Sequence, residues 1–72
     1  MTIASDRIES FLVRHRGEAY CEECIQREVG IARRRQVHDA LDCLHVERDQ
    51  RFIQLRRDCV MCGVQWLVSV WA

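Results

Sequence analysis

Apolar positions recur along this chain with two periods, and glycines separate the stretches that carry them. Ile8, Phe11, Leu12 and His15 fall at i, i+3, i+4 and i+7, the stripe of an amphipathic helix. Ser5 or Asp6 suits its cap and Gly17 its left-handed end, which predicts a first helix over about residues 5–16. Glu18-Ala19-Tyr20 is short enough to be no more than a brief strand. From Cys21 to Val29 the spacing of Cys21, Cys24, Ile25 and Val29 is again helical. Glu22 and Glu23 stand in the first turn, where the helix dipole favours acids, and Gly30 breaks the segment. A third helix follows from about Ala32, with Val37, Ala40, Leu41 and Leu44 as its stripe. Residues 45–50 are polar and read as a loop. Arg51-Phe52-Ile53-Gln54-Leu55-Arg56-Arg57 has strand composition, and Val64, Trp66, Val68 and Val70 alternate with the period of a strand.

The pattern therefore predicts an α+β domain of three helices, a short strand and a C-terminal β-hairpin. With 72 residues, it forms one domain over residues 1–72 and is too small for a two-domain enzyme, a Rossmann fold or a barrel. A core of this size usually needs a staple, unusually good packing or a partner. Apolar residues make up 49% and charged residues 31%, a globular balance. Eleven basic residues, all arginine, offset eleven acids, so nucleic-acid binding finds no support in overall charge. The N-terminal residues lack the apolar run of a signal peptide, and residues 64–72 fall short of the roughly 20 needed to span a bilayer. A cytoplasmic location and no membrane association are expected.

In a reducing compartment, five cysteines point to metal before disulfides. Four form two C-x-x-C pairs, Cys21/Cys24 and Cys59/Cys62, with 34 residues between them. That separation exceeds the roughly 15 to 20 residues of compact zinc ribbons, so local context matters. Cys59-Val60-Met61-Cys62-Gly63 resembles a zinc knuckle, whose turn aims backbone N–H groups at sulfur and uses glycine for its positive φ. Cys21 and Cys24 open a helix, where free amides favour the thiolate. The expected cofactor is one structural Zn²⁺ per chain, with buried metal-free thiols as the alternative. Iron in a rubredoxin-like site would use the same ligands, but there both pairs continue into glycine, and Ile25 follows Cys24 here. Four thiolates around Zn²⁺ leave an excess negative charge for Arg27, Arg56 and Arg57 to offset. Cys43 is left over as a partly buried structural thiol.

The segment Cys24-Ile25-Gln26-Arg27-Glu28-Val29-Gly30-Ile31, followed by Ala32-Arg33-Arg34-Arg35-Gln36-Val37-His38-Asp39-Ala40-Leu41, resembles the helix-turn-helix of winged-helix transcription regulators. Ile25, Val29, Gly30, Ile31, Val37 and Leu41 occupy its packing and turn positions. Val37 falls seven residues after Gly30, giving a turn one residue longer than the commonest pattern, and Gln26 stands where a small residue is usual. The resemblance implies a winged helix-turn-helix with a zinc knuckle at the hairpin tip. It also implies that the short strand pairs antiparallel with the last strand, placing Tyr20 beside Gly63 and bringing the cysteine pairs together.

The same resemblance implies a DNA-binding transcriptional regulator that reads duplex DNA with the start of its third helix. Arg33, Arg34, Arg35, Gln36 and His38 are the expected contacts, with Arg51 from the wing, while Asp39 and Asp42 oppose phosphate. The alternative is a protein-interaction module of the same fold. Both faces of the last strand are apolar, which leaves Leu67 and Trp71 as a surface for a protein partner or for homodimerisation. No Ser/His/acid set, phosphate-binding loop or open metal position suggests an enzyme.

Overall fold

Helix α1 spans Ile3–Arg14, the first element of a computed structural model that describes residues 3–72. Ser5, Ile8 and Leu12 lie on one buried face, at i, i+3 and i+7. Ser5 is thus part of the packed stripe inside the first turn, and neither it nor Asp6 caps the helix as the sequence suggested. The helix also ends earlier than expected. His15 lies just beyond it, stacked on the rings of Phe11 and Tyr20 at 4.6 and 5.6 Å, with Nδ1 3.1 Å from Glu18. Gly17 then adopts φ +83°, and its N–H donates to the Trp71 carbonyl.

Strand β1, Tyr20–Cys21, leads directly into helix α2, Glu22–Val29. Helix α3 covers Arg34–Glu47 and not the stretch from Ala32, because Ile31 is buried in the connection and Arg33 is still extended at the cap. At its far end α3 includes His45, Val46 and Glu47, which the polar pattern had assigned to a loop. These exposed residues, apolar Val46 among them, extend a helix whose buried side already runs through Val37, Ala40, Leu41 and Leu44. Arg48 closes it, and its carbonyl accepts the N–H groups of Arg51 and Phe52 as the chain turns into β2.

Strands β2, Phe52–Asp58, and β3, Gln65–Trp71, form the hairpin, and the antiparallel sheet has the order β1-β3-β2. The main core gathers Ile8, Phe11 and Leu12 of α1, Ile25 and Val29 of α2, the α3 stripe, and Phe52 with Trp71 across the ladder. A second cluster joins Ala19, Cys21, Cys24, Cys59, Val68 and Val70. Strand β3 is therefore buried on both faces, but only from Val68 onward. Trp71, expected as a surface for partners, is 8% exposed and belongs to the main core. Its face of the strand is covered by helices, and the opposite face by the second cluster.

Gly30 ends α2 in the left-handed region, φ +77°, and its N–H donates to Gln26. An added Cβ would meet Arg7 at an ordinary 3.6 Å, so conformation and not crowding sets the cost of substitution. Gly30→Ala is expected to lower stability by about 1 to 2 kcal/mol in chemical denaturation.

Candidate metal centre

Cys21 stands where β1 becomes α2. Its extended backbone, φ −76° and ψ 163°, points the side chain back over the helix start, and Cys24 follows one turn later. Cys59 ends the opposite arm just after β2. There the Cys59 N–H donates to the Val64 carbonyl, and the Gly63 N–H to the Cys59 carbonyl, closing a tight turn with Gly63 at φ +74°. Glycine is required at that φ, as the knuckle pattern predicted.

The two arms meet differently from the expected register. Tyr20 pairs with Ser69 and Cys21 with Val68, so β1 lies against the middle of β3 and not beside Gly63. The turn over residues 59–64 bridges the remaining distance by folding back. The Val60 N–H donates to the Ala19 carbonyl at 2.8 Å, and the Cys21 N–H donates to Cys59 Sγ at 3.3 Å.

The result is four sulfur atoms within 4.8 Å of one another. Cys21 and Cys62 are 3.7 Å apart, and Cys24 and Cys59 3.6 Å. A tetrahedral ion with metal–sulfur bonds of about 2.3 Å separates its ligands by about 3.8 Å, so the spacing fits a tetrathiolate site. The same distances far exceed a disulfide bond of about 2.05 Å, and all five cysteines are free. Cys21, Cys24 and Cys59 are buried, whereas Cys62 is exposed.

Burial opposes thiolate formation unevenly across the cluster. It drives the Cys24 thiol strongly upward and raises Cys21 against hydrogen bonds from Cys24 that lower it. Burial also acts on Cys59, but backbone hydrogen bonds from Cys62, Cys21 and Met61 outweigh it and bring the thiol down to about 6. Amides of the turn and of Cys21 thus favour the anion at one buried sulfur, the form a metal binds. A soft, all-sulfur donor set suits zinc or iron before hard cations, and four protein ligands complete a tetrahedral shell.

Of the arginines expected beside the cluster, one is paired with an acid and two are exposed. Arg27 lies 3.3 Å from Glu23, and Arg56 and Arg57 are exposed on β2. Cys43 sits away from the cluster on α3, its thiol donating to Glu47 at 2.9 Å; that bond, ahead of burial, raises its pKa.

Arg33, Arg34, Arg35 and Gln36 come together, exposed, at the start of α3. Arg34 Nε donates to Gln26 Oε1 at 2.9 Å, and its other nitrogens lie 3.7 Å from Glu22 and 3.5 Å from Glu23. Arg35 reaches Asp39 at 3.9 Å, and His38 stands between Glu22 and Asp42 at 3.3 and 3.4 Å. Arg51 does not join this group: it follows the opposite end of α3, a helix about 21 Å long. The first-turn acids of α2 were visible in the sequence, but their pairing with Arg34 depends on how α2 packs against α3.

Leu67 is 48% exposed as expected, and Trp66, which the sequence had left aside as a partner surface, is 61% exposed. Both line a small groove with His38 and Asp42 of α3. No helix among the described residues is long and apolar enough to cross a membrane. Set beside protein-family models, curated protein sequences and solved structures, the chain matches none of them.

Proposed function

We propose that this protein is a zinc-stabilised winged helix-turn-helix domain that binds duplex DNA and regulates transcription in the cytoplasm. The observation carrying this reading is α3, which exposes Arg33, Arg34, Arg35 and Gln36 in and before its first turn, after a left-handed turn at Gly30. A hairpin follows it in a sheet of order β1-β3-β2, the arrangement expected of a winged domain. In this reading one Zn²⁺ on Cys21, Cys24, Cys59 and Cys62 fixes the start of α2 to the hairpin tip. It thereby sets the platform on which α3 is presented. A filled tetrahedral shell serves stability and not turnover, so no enzymatic role is proposed.

Glu22 and Glu23 hold Arg34 in the free protein. Binding DNA exchanges those carboxylates for phosphate, so the affinity is expected to be modest and steeply salt-dependent. Anisotropy titration of zinc-loaded protein with a labelled duplex should show log K falling with log salt at a slope near −3, corresponding to about three phosphate contacts. Arg34→Ala with Arg35→Ala should flatten that slope by about two. Absence of binding at low salt, or a slope unchanged in the double variant, overturns the DNA reading.

One observation favours a second reading, a protein-interaction module. Trp66 and Leu67 form an exposed apolar pair beside α3, a composition typical of interface centres. Under that reading Trp66→Ser and Leu67→Ser abolish partner binding, while the arginine variants leave it intact.

A further inference from the structure

We propose that β2 is the pairing edge of a homodimer, in which two copies of Phe52–Asp58 run antiparallel about Leu55 and join the sheets into one of six strands. The inference is independent of the DNA reading. Strand order leaves little choice of edge. β3 is flanked on both sides, and β1 is two residues long and runs straight into α2, whereas one side of the seven-residue β2 faces no strand.

The ladder fixes which backbone groups face outward. The Ala72 N–H donates to the Arg51 carbonyl, and the Cys59 N–H to the Val64 carbonyl. Between these bonds, the odd-numbered residues of β2 direct their N–H and C=O groups toward β3. Gln54, Arg56 and Asp58 therefore direct theirs away from it. An unprotected edge of this kind is a template for another strand.

Charge then selects the register. An antiparallel two-fold that matches the outward groups can be centred on any residue of β2, but a centre on Phe52 or Ile53 needs the Phe52 N–H, which already donates to the Arg48 carbonyl, and a centre on Asp58 opposes that acid to itself, which leaves Gln54, Leu55, Arg56 and Arg57. Centring on Gln54 puts Arg51 opposite Arg57 of the second copy. Centring on Arg56 or Arg57 puts that arginine opposite itself. Like charges directly opposed across strands are destabilising.

Of these four, only the Leu55-centred register opposes no like charges. It sets Gln54 against Arg56, Ile53 against Arg57 and Phe52 against Asp58 of the second copy. Leu55 meets its own copy in a non-hydrogen-bonded pair, where side chains approach most closely. Ile53 is 44% exposed on the same face and would be covered as well. A formal net charge of zero removes the long-range repulsion that keeps many small domains apart.

Two short strands make an interface below about 1,200 Å², the range of transient complexes, so association is expected at high micromolar concentration. Sedimentation equilibrium of the zinc-loaded full chain tests it, paired with amide exchange at low and high concentration. The expected result is a monomer–dimer equilibrium in which the Gln54 and Arg56 amides gain protection as dimer forms. Gln54→Pro removes an outward N–H without touching the β2–β3 ladder and should weaken association at least tenfold, with zinc content and circular dichroism unchanged. Leu55→Lys places two ammonium groups opposite each other and should act the same way, which keeps the test decisive if the proline variant fails to fold. A monomer at every concentration overturns the proposal, as does a dimer indifferent to the variants that fold.

Discussion

Stripping the metal is expected to unfold this domain outright. Half of the second core cluster, Cys21, Cys24 and Cys59, consists of candidate metal ligands, and only Ala19, Val68 and Val70 complete it. Without an ion, the sulfur atoms that hold α2 to the hairpin tip have only weak hydrogen bonds to one another. Zinc binding to structural sites contributes apparent free energies of about 10 to 16 kcal/mol, against total stabilities of about 5 to 15 kcal/mol for ordinary domains. A metal term of that size is comparable to the whole stability of an ordinary domain. Chelation should abolish the cooperative thermal transition, and returning one equivalent of Zn²⁺ should restore it. Cys59→Ser should mimic chelation, because Cys59 is buried and also accepts the Cys21 N–H. Cys62→Ser should be milder, since water can reach the exposed fourth position. Cys43→Ser should retain both zinc and transition. A metal-free chain melting within a few degrees of the purified protein, or protein purified without chelator and lacking bound metal, overturns the structural-zinc reading.

The sequence disclosed the cysteine pairing and the three helices for the same reason: each signal is local. A C-x-x-C at a helix start, a C-x-x-C-G turn and a stripe such as Val37, Ala40, Leu41 and Leu44 need only a few neighbouring residues to be recognised. Long-range relations were less legible. Tyr20 pairs with Ser69 while the turn after β2 folds back onto Ala19, and nothing in either segment alone encodes that offset. The arginines at the start of α3 look free in sequence, yet Arg34 is held by Glu22, Glu23 and Gln26 of the preceding helix. That contact bears directly on the proposed DNA reading, because the residue which that reading sets against phosphate already has carboxylate partners. Helix boundaries shifted by a few residues at each of these places, where Ser5 and Ile31 were drawn into packing despite their terminal positions.

Trp71→Ala is expected to be strongly destabilising, and Trp66→Ala nearly silent. The two residues lie five apart on one strand, and the alternation in sequence had left Trp71, not Trp66, for the surface. Val68, the start of the doubly buried half of β3, falls between them. Trp71 lies opposite Phe52 in the ladder and shares the main core with Ile8, Leu12 and Tyr20, while its carbonyl accepts the Gly17 N–H. Truncating a buried tryptophan costs about 3 to 5 kcal/mol, and in a domain of 60–100 residues each kcal/mol lowers Tm by about 4 to 8 °C. Trp71→Ala should therefore lower Tm by more than about 12 °C even with zinc bound, whereas Trp66→Ala should shift it by only a few degrees. Fluorescence supplies a check that does not depend on stability. With Trp66→Phe the remaining indole is Trp71 and should emit in the blue; with Trp71→Phe the remaining Trp66 should emit near the wavelength of tryptophan in water. Reversed emission would place the core on the wrong half of β3. It would also return Trp71 to the surface role that its sequence suggested.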